Sequence, residues 1–398
     1  MGSWRALALT LFGTAELESK QEKMVGLLLL RGILVGLHAP RALSTDGFQA
    51  EQRLSAAIHW IEYAHAAMGD GGISKGFDLL RNRWAPSYPE TTGYTIPTLL
   101  NAAVTLERPE LRALALSLAD YLLKSTTPEG GVGHWASLRP YPIVFDTGQV
   151  LFGWLAAFDA SGDERYLGAA MRAGDWLVSV QDSSGSWKGH QHLGVEKVID
   201  TRVAWALLEL YCYTHQDSYR QAAVRNLEWA KQQQDTDGWF QRCAFVEGED
   251  PSTHTLAYTV EGLFECGCLL NEVRHIKAAQ LTADALLIRQ HSDGRLASTY
   301  CSTWRETSRS SCLTGNCQMS CLWLRFYNLS GDIRYLDGAR KAITFVAATQ
   351  DLRTSNANIR GAIAGSYPIY GRYERFKYPN WAAKFFIDAL LALQEVEE

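Results

Sequence analysis

The sequence has no excess of basic residues, because 38 Lys and Arg stand against 43 Asp and Glu and give a formal net charge of −5. A protein that binds nucleic acid chiefly through its phosphates needs such an excess to displace counterions, so nucleic acid is not an expected partner. Long apolar runs are also missing: the stretch 25–37 is interrupted by Arg31 and is too short to cross a bilayer. Patterns of alternating polar and apolar residues, typical of strands, are scarce. What is left is a helical globular protein.

Cysteines are few and do not form a disulfide framework. The chain has eight, and most lie inside apolar runs such as 264–269, which favours buried free thiols in a reducing compartment, and hence the cytoplasm. A zinc site built from Cys301, Cys312, Cys317 and Cys321 is an alternative, but the spacing of the last three fits no standard structural zinc site. We therefore expect core packing there, with no metal and no cofactor.

The N-terminal segment differs from the remainder of the chain. It begins with a short apolar run, but no small-x-small cleavage site follows, and three glutamates intervene between residues 16 and 22. We therefore divide the chain into a leader segment, residues 1–45, and one folded domain, residues 46–398.

A repeat organises the domain. Similar segments, each beginning with a small polar residue and continuing in apolar ones, recur at intervals of 54 to 66 residues. Their first residues are Thr92, Thr147, Thr201, Thr255, Thr314 and Asn380. Before each segment lies an amphipathic stretch with helical periodicity, such as 165–177. The repeating unit is therefore a pair of helices.

The two helices of each pair differ in polarity. The stretch 150–158 is apolar on every side and must be surrounded by protein, whereas 219–229 has one polar face and belongs on the surface. Six alternations of outer and inner helix predict an all-α (α/α)6 toroid, with a linear solenoid as the alternative. The links from outer to inner helices are long and rich in Gly, Trp, Tyr and His, and they all meet at one end, which we call the mouth.

Two of these long links resemble the QW repeat of terpenoid cyclases. The stretch 176–187 matches the pattern W-L-x3-Q-x3-G-x-W, and 229–240 is a looser copy. The resemblance implies a toroid in which the Gln caps a helix end and the Trp packs over it. It does not extend to the D-x-D-D acid motif, because 197–201 holds only one carboxylate, Asp200.

The chain as a whole resembles (α/α)6 toroids related to six-hairpin glycosidases and associated with bacterial exopolysaccharide synthesis. The resemblance lies in 312–319, 365–371 and 378–386 and covers most of 50–398; in addition, the stretch 88–90 is similar to a segment of glucuronyl C5-epimerases. It implies a carbohydrate context, polysaccharide biosynthesis among the options, and a saccharide as the partner. It leaves the reaction open.

Carboxylates at the starts of the inner helices are the first catalytic candidates. Asp146 and Asp200 each precede the Thr of their repeat, and Glu90 lies two residues before Thr92. An Asp at this place is often only an N-cap, which stabilises a helix by about 1 kcal/mol. Two carboxylates across one mouth, however, are what glycoside cleavage needs, one as acid and one as base or nucleophile.

Histidines complete the catalytic candidates. His190 and His192 follow the better QW motif, and His254 occupies the Asp position of its repeat. A histidine in a long loop can titrate near neutral pH and abstract a proton next to a uronic carboxylate. A structural role for each is the alternative.

Substrate-binding candidates are polar or aromatic residues near the mouth. Arg202 stands in an otherwise apolar inner helix and must pair with a protein carboxylate or with an anionic ligand. The others are Tyr94, Trp135, Trp187, His192, Trp239, Tyr300, Trp304, Asn316, Tyr370 and Trp381.

Three functions remain open on the sequence alone. The first is a carbohydrate-active enzyme that works by acid/base chemistry in the mouth, as a hydrolase, a C5-epimerase or a lyase on a saccharide such as a uronate-containing polysaccharide. The second is an isoprenoid-handling toroid, similar to terpenoid cyclases or prenyltransferases. The third is a glycan-binding scaffold without catalysis. The oligomeric state is open as well.

Overall fold

A computed structural model describes residues 49–133 and 141–398. In these ranges the chain forms twelve α-helices. They are α1 (Ala50–Ala66), α2 (Pro89–Thr105), α3 (Pro109–Leu123), α4 (Val144–Ser161), α5 (Glu164–Ser179), α6 (Thr201–Thr214), α7 (Asp217–Gln232), α8 (Thr253–Leu270), α9 (Val273–Ile288), α10 (Leu313–Ser330), α11 (Ile333–Thr349) and α12 (Asn380–Glu397). The predicted leader, residues 1–45, lies outside the described residues.

The helices form two concentric rings. Each even-numbered helix packs against the next even-numbered one, and α12 packs against α2, so the inner ring is closed. The odd-numbered helices lie outside and pair with their inner neighbours. Close packing within the inner ring uses glycine: a Cβ on Gly153 of α4 would lie 2.5 Å from the carbonyl oxygen of Gly93 in α2. The fold is an (α/α)6 toroid, as predicted; the solenoid alternative is wrong because a solenoid has two free ends.

The connections alternate between short and long. Inner helices pass to outer ones by tight turns, four of which begin with a left-handed residue that caps the inner helix: Gly162, His215, Asn271 and Gly331. The return links are the long stretches 67–88, 124–143, 180–200, 233–252, 289–312 and 350–379. Because every inner helix begins where a long link ends, all six N-termini meet at the mouth.

Small strands tie the long links to one another. Strands β1 (Gly76–Asp78), β2 (Arg83–Trp84) and β5 (Lys377–Pro379) form an antiparallel sheet in the order β2-β1-β5, with Phe77 opposite Tyr378. Strands β3 (Ser311–Cys312) and β4 (Ser366–Tyr367) form a second antiparallel pair. The first sheet joins the first and last long links and so closes the ring at the mouth.

The QW glutamines hold neighbouring hairpins together. The side-chain amide of Gln181 donates to the carbonyls of Gly185, in its own loop, and of Ala222, inside the next outer helix. Gln234, Gln290 and Gln350 bond in the same way to the following outer helix. The expectation that this Gln caps a helix end is therefore corrected, since it reaches the middle of the adjacent helix. Trp187 is fully buried and donates from its indole to the carbonyl of Leu177.

Two of the repeated Thr residues, Thr92 and Thr147, anchor the loops that precede their helices. The hydroxyl of Thr92 accepts the backbone N–H of Ile73, and that of Thr147 accepts the N–H of Val132. Each bond fixes a Gly-containing loop to the first turns of an inner helix. The regular spacing of these residues therefore reports the scaffold and says nothing about chemistry.

Across the described ranges, no helix is both long enough and apolar enough to cross a membrane.

Candidate active site

A cavity of about 310 Å³ opens at the mouth, over the N-termini of the inner helices. The first turns of α2, α4 and α8 supply three of the predicted catalytic residues, Glu90, Asp146 and His254. The long links and the adjacent turns supply most of the remaining wall: Lys75, Tyr88, Phe145, Gln191, His192, Lys197, Ile199, Phe245, Arg372, Tyr373, Glu374 and Trp381. Tyr94 of α2 and Tyr258 of α8 also line the cavity.

Glu90 and Asp146 form a pair of carboxyl groups in which the charge of Asp146 raises the pKa of Glu90. Both are buried, and the hydroxyl of Tyr88 lies 3.5 Å from Oδ1 of Asp146 and also hydrogen-bonds Glu90. Burial raises the pKa of Glu90 to about 8, and the neighbouring Asp146 charge adds to the rise; Tyr88, Lys75 and Arg202 oppose it. At neutral pH, Glu90 therefore holds a proton that it can donate.

Helix capping does not explain these carboxylates. Glu90 and Asp146 lie within the first turns of their helices rather than before them, and neither helix has a side-chain cap. The positive end of a helix favours an ionised carboxylate by about 0.3–1 kcal/mol. Burial beside a second carboxylate is the larger effect at Glu90, because the net direction of its pKa is upward.

His254 is a neutral imidazole in the opposite part of the wall. Its Nδ1 lies 2.6 Å from Oε1 of Gln318, so a proton on Nδ1 is donated to that oxygen and Nε2 keeps its lone pair. The ring packs against Tyr258 and Tyr373, with centroids 4.3 and 5.3 Å away. Burial, aided by the charge of Arg202, lowers the pKa of His254 to about 4.

Cationic side chains surround the pair. The ammonium of Lys75 lies 5.7 Å from the ring centre of Tyr88 and 5.5 Å from that of Trp381, and 3.7 Å from a carboxylate oxygen of Glu374. Arg372 lines the cavity and has no ion pair with any residue in the described part of the chain. With Lys197, the cavity wall thus holds three cationic side chains that can attract an anionic ligand.

Asp200 is buried behind the cavity and does not line it. The amide of Gln191, which does line it, donates to Oδ2 of Asp200 at 2.7 Å. Burial raises the pKa of Asp200 to about 7, against the charge of Lys197 and the Gln191 bond. The prediction of a catalytic Asp200 remains a prediction, and its contact in the structure is that of a positioning residue for Gln191.

Arg202 is paired within the protein and does not line the cavity. Its guanidinium is almost fully buried, forms an ion pair with Glu261 and donates from Nε to Gln149 at 2.8 Å. The ring of Tyr258 covers it, with the centroid 4.9 Å away. Of the two partners expected for Arg202, a protein carboxylate is the one present, and its influence on the cavity is through charge.

His190 and most of the predicted aromatic platform lie outside the cavity. His190 is exposed, with Nδ1 3.1 Å from the carbonyl of Pro142. Asn316 bonds the backbone of Leu296 and Cys312, and is structural. Trp187, Trp239, Tyr300 and Trp304 are buried in the links, and Tyr370 is half-buried; none of these lines the cavity. Trp135 lies outside the described residues. Tyr94, His192 and Trp381 are the predicted binding residues that do line it.

Several cavity residues were not among the predicted ones. The stretch 372–374, Arg-Tyr-Glu, crosses the mouth from the last link, and Lys75 enters it from the first. The sequence could have indicated 372–374 because this stretch directly follows the motif 365–371. No local sequence pattern marks Lys75. Among the described residues there is no group of three or more His, Cys, Asp or Glu side chains that could hold a metal ion.

The closed double ring and its charged mouth cavity define the class: a six-hairpin (α/α)6 toroid with a polar central site. Residues 86–266 match the family model of the squalene-hopene cyclase C-terminal domain, in agreement with the QW-like links. No curated protein matches the chain in sequence.

Solved structures share the fold over most of their length. An unsaturated glucuronyl hydrolase specific for heparin is 14% identical, with a TM-score of 0.71, and the match covers 87% of this chain and 97% of that one. The unsaturated glucuronyl hydrolase of Bacillus sp. GL1, which degrades glycosaminoglycan, is 16% identical (TM-score 0.69; 87% and 97% covered). The cellobiose 2-epimerase of Bacillus thermoamylovorans B4167 is 10% identical (TM-score 0.66; 86% and 98% covered). At these identities the likeness concerns the fold.

Proposed function

We propose that this chain is a carbohydrate-active enzyme that hydrolyses a uronate-containing saccharide by general acid/base catalysis. Glu90 is the acid and Asp146 the carboxylate that activates water. The observation that carries this proposal is the buried carboxyl pair bridged by Tyr88, in which one member keeps its proton at neutral pH. Environments that separate the pKa values of two carboxyl groups assign one the role of acid and the other that of base.

The cavity walls favour a uronate as the substrate. Lys75 and Arg372 are placed to bind a sugar carboxylate, and Trp381 offers an indole face for a sugar ring. Two of the structural neighbours are glucuronyl hydrolases, whose substrates also carry this group. The charged side chains in the cavity wall, among them Lys75, Arg372 and Glu374, argue against an isoprenoid cavity. The burial of Glu90 beside the charge of Asp146 argues against a scaffold that only binds.

Epimerisation at carbon 5 is the second candidate, and His254 favours it. Helices α2 and α8 are the first and fourth of six inner helices, so Glu90 and His254 face each other across the ring. Inversion at a carbon requires a base on one face of the sugar and an acid on the other, and a neutral imidazole opposite a protonated carboxyl meets that need.

Incubation in deuterated water separates the reactions. Polygalacturonate and its oligosaccharides, saturated and with an unsaturated terminal uronate, are treated with the protein and with the Glu90→Gln variant. Hydrolysis yields new reducing ends without deuterium at carbon 5; epimerisation yields deuterium there without cleavage. Glu110→Gln, an exposed residue of α3, is the matched control and should behave as the parent. Activity that survives Glu90→Gln unchanged contradicts the proposed acid, and unsaturated products from saturated chains indicate elimination.

A further inference from the structure

The central cavity lies between two others. A cavity of about 550 Å³ shares Lys75, Glu374 and Trp381 with it, and one of about 350 Å³ shares Phe245, Arg372 and Tyr373. Because a lining residue common to two cavities lies at their shared boundary, the central cavity adjoins both of the others, which share no lining residue with each other. All three volumes fall in or near the range of roughly 300–1,000 Å³ that small-ligand sites occupy.

The larger neighbour is positively charged, and we call it the basic flank. It is lined by four cationic side chains, Lys75, Arg81, Arg83 and Lys377, against two carboxylates, Asp78 and Glu374. Arg81 is paired with Asp78 at 2.9 Å, and Lys377 with Glu374 at 2.9 Å. Arg83 is exposed at the rim and has no carboxylate partner within the described ranges. The flank therefore retains positive charge for a ligand.

The other neighbour is rich in hydroxyl groups, and we call it the hydroxyl flank. Its wall includes five hydroxyl side chains and two carboxylates, with Arg372 on the side that it shares with the central cavity. They are Ser252, Ser298, Thr299, Thr307, Ser308, Glu249 and Asp250. Such a surface suits the hydroxyls of a neutral sugar and disfavours a second anion next to Glu249 and Asp250.

We propose that a polysaccharide chain crosses the mouth, with an interior sugar in the central cavity, a uronate-bearing segment in the basic flank and a neutral segment in the hydroxyl flank. The inference rests on the proposed function and extends it: the enzyme acts within chains, not only on terminal sugars. A site that accepts only a chain end is closed on one side, whereas the central cavity adjoins a further cavity in two places.

Binding to chains of graded length tests this arrangement without relying on turnover. The Glu90→Gln variant is titrated calorimetrically with galacturonate oligosaccharides of two to eight units, and with neutral cello-oligosaccharides of the same lengths. We expect galacturonate affinity to rise with length over several units, and to fall with added salt because ion pairs are screened.

Charge reversal in the basic flank sharpens the test. Arg83→Glu should weaken binding of the longer galacturonate chains about tenfold and leave the disaccharide unchanged, as expected for an exposed charge pair that is reversed. Arg220→Glu, on the outer face of α7, makes the same change in net charge and should leave every length unaffected.

A substitution that fills the hydroxyl flank completes the test. Thr307→Trp places a large side chain at an exposed position of that wall and should lower the affinity of long cello-oligosaccharides to that of shorter ones. Affinity that no longer rises beyond the disaccharide, or an Arg83→Glu effect that is equal at all lengths, overturns the crossing chain. Failure of the proposed function is a separate result: normal length dependence with no turnover of any substrate by the parent protein.

Discussion

The protonated state of Glu90 has a measurable effect on folding stability. An unfolded chain ionises this carboxyl near pKa 4.5, whereas burial beside Asp146 raises the folded value to about 8. Between these values the folded protein binds one more proton than the unfolded one, so its free energy of unfolding falls as pH rises. The slope from this group is about 1.4 kcal/mol per pH unit, and the whole shift corresponds to roughly 5 kcal/mol. The contribution is complete below pH 4.5 and lost as pH passes through 8.

The Glu90→Gln variant removes this titration while keeping the shape of the side chain. The free energy of unfolding of the variant minus that of the parent should therefore show a gain of about 2–3 kcal/mol as the pH rises from 5.5 to 7.5, measured by urea denaturation at several pH values. Other titrating groups, such as Asp200, contribute to both proteins and cancel in the difference. Glu110→Gln should show no such gain, because that carboxyl is exposed and Arg108 lowers its pKa.

A difference that stays constant from pH 5.5 to 7.5 would mean that Glu90 is already ionised in the folded protein. The carboxyl could not then act as the acid at neutral pH, and the assignment of acid and base between Glu90 and Asp146 would fail. A decline of turnover above pH 8, which we expect because the acid loses its proton there, would then also be absent.

Three further changes test the site and its scaffold. Tyr88→Phe removes the hydroxyl between the carboxyls and should lower turnover at least tenfold while unfolding at a urea midpoint close to that of the parent; unchanged turnover would exclude the hydroxyl from the mechanism. Arg202→Met leaves Glu261 without its buried partner and should cost about 3–5 kcal/mol by urea denaturation; the double variant with Glu261→Gln should recover part of it, and no recovery would contradict the pairing. Gly294→Ala should cost about 2–4 kcal/mol, because φ is +91° and a Cβ would lie 2.1 Å from a backbone carbonyl oxygen; Gly248→Ala, with positive φ but open space, should cost only about 1–2 kcal/mol, and equal losses would refute the argument from close contact.

The fold could be predicted because the repeat is a direct consequence of its physics. Thr92 and Thr147, at the starts of α2 and α4, each accept a backbone N–H of the preceding loop, from Ile73 and Val132, so these loops require a hydroxyl at that position. Inner helices are apolar on all sides because the outer helices and the neighbouring inner helices surround them. Both demands are local in sequence, and both left a periodic pattern.

The site could be predicted only in part, because it depends on which side chains reach the cavity. Glu90, Asp146 and His254 were found from their places at inner-helix starts. Lys75 directly precedes β1 and Arg372 lies shortly before β5, and the pairing of these two strands brings the first and last links to the same cavity. No local pattern records such a meeting. Several aromatic candidates do not line the cavity for a related reason. The sequence around a Trp in a mouth loop is similar whether the side chain fills the loop, as Trp187 does, or faces the cavity, as Trp381 does.

Asp146 and Asp200 show where sequence reasoning reaches its limit. Each directly precedes the Thr of its repeat, and the two are equivalent by spacing. Asp146 lies inside the first turn of α4, where its carboxylate meets Tyr88 at the cavity. Asp200 ends a short 3-10 turn that precedes α6, and its carboxylate is bonded to Gln191, so the amide and not the acid faces the cavity. A difference of one backbone turn thus separates Asp146, which can act on a substrate, from Asp200, which positions the cavity-lining Gln191.

Loss of Asp200 should therefore act through Gln191. Asp200→Asn keeps an oxygen for the Gln191 amide and should leave turnover near that of the parent, whereas Asp200→Ala should raise KM more than it lowers kcat. Equal loss of kcat in both variants would restore Asp200 to the reaction itself.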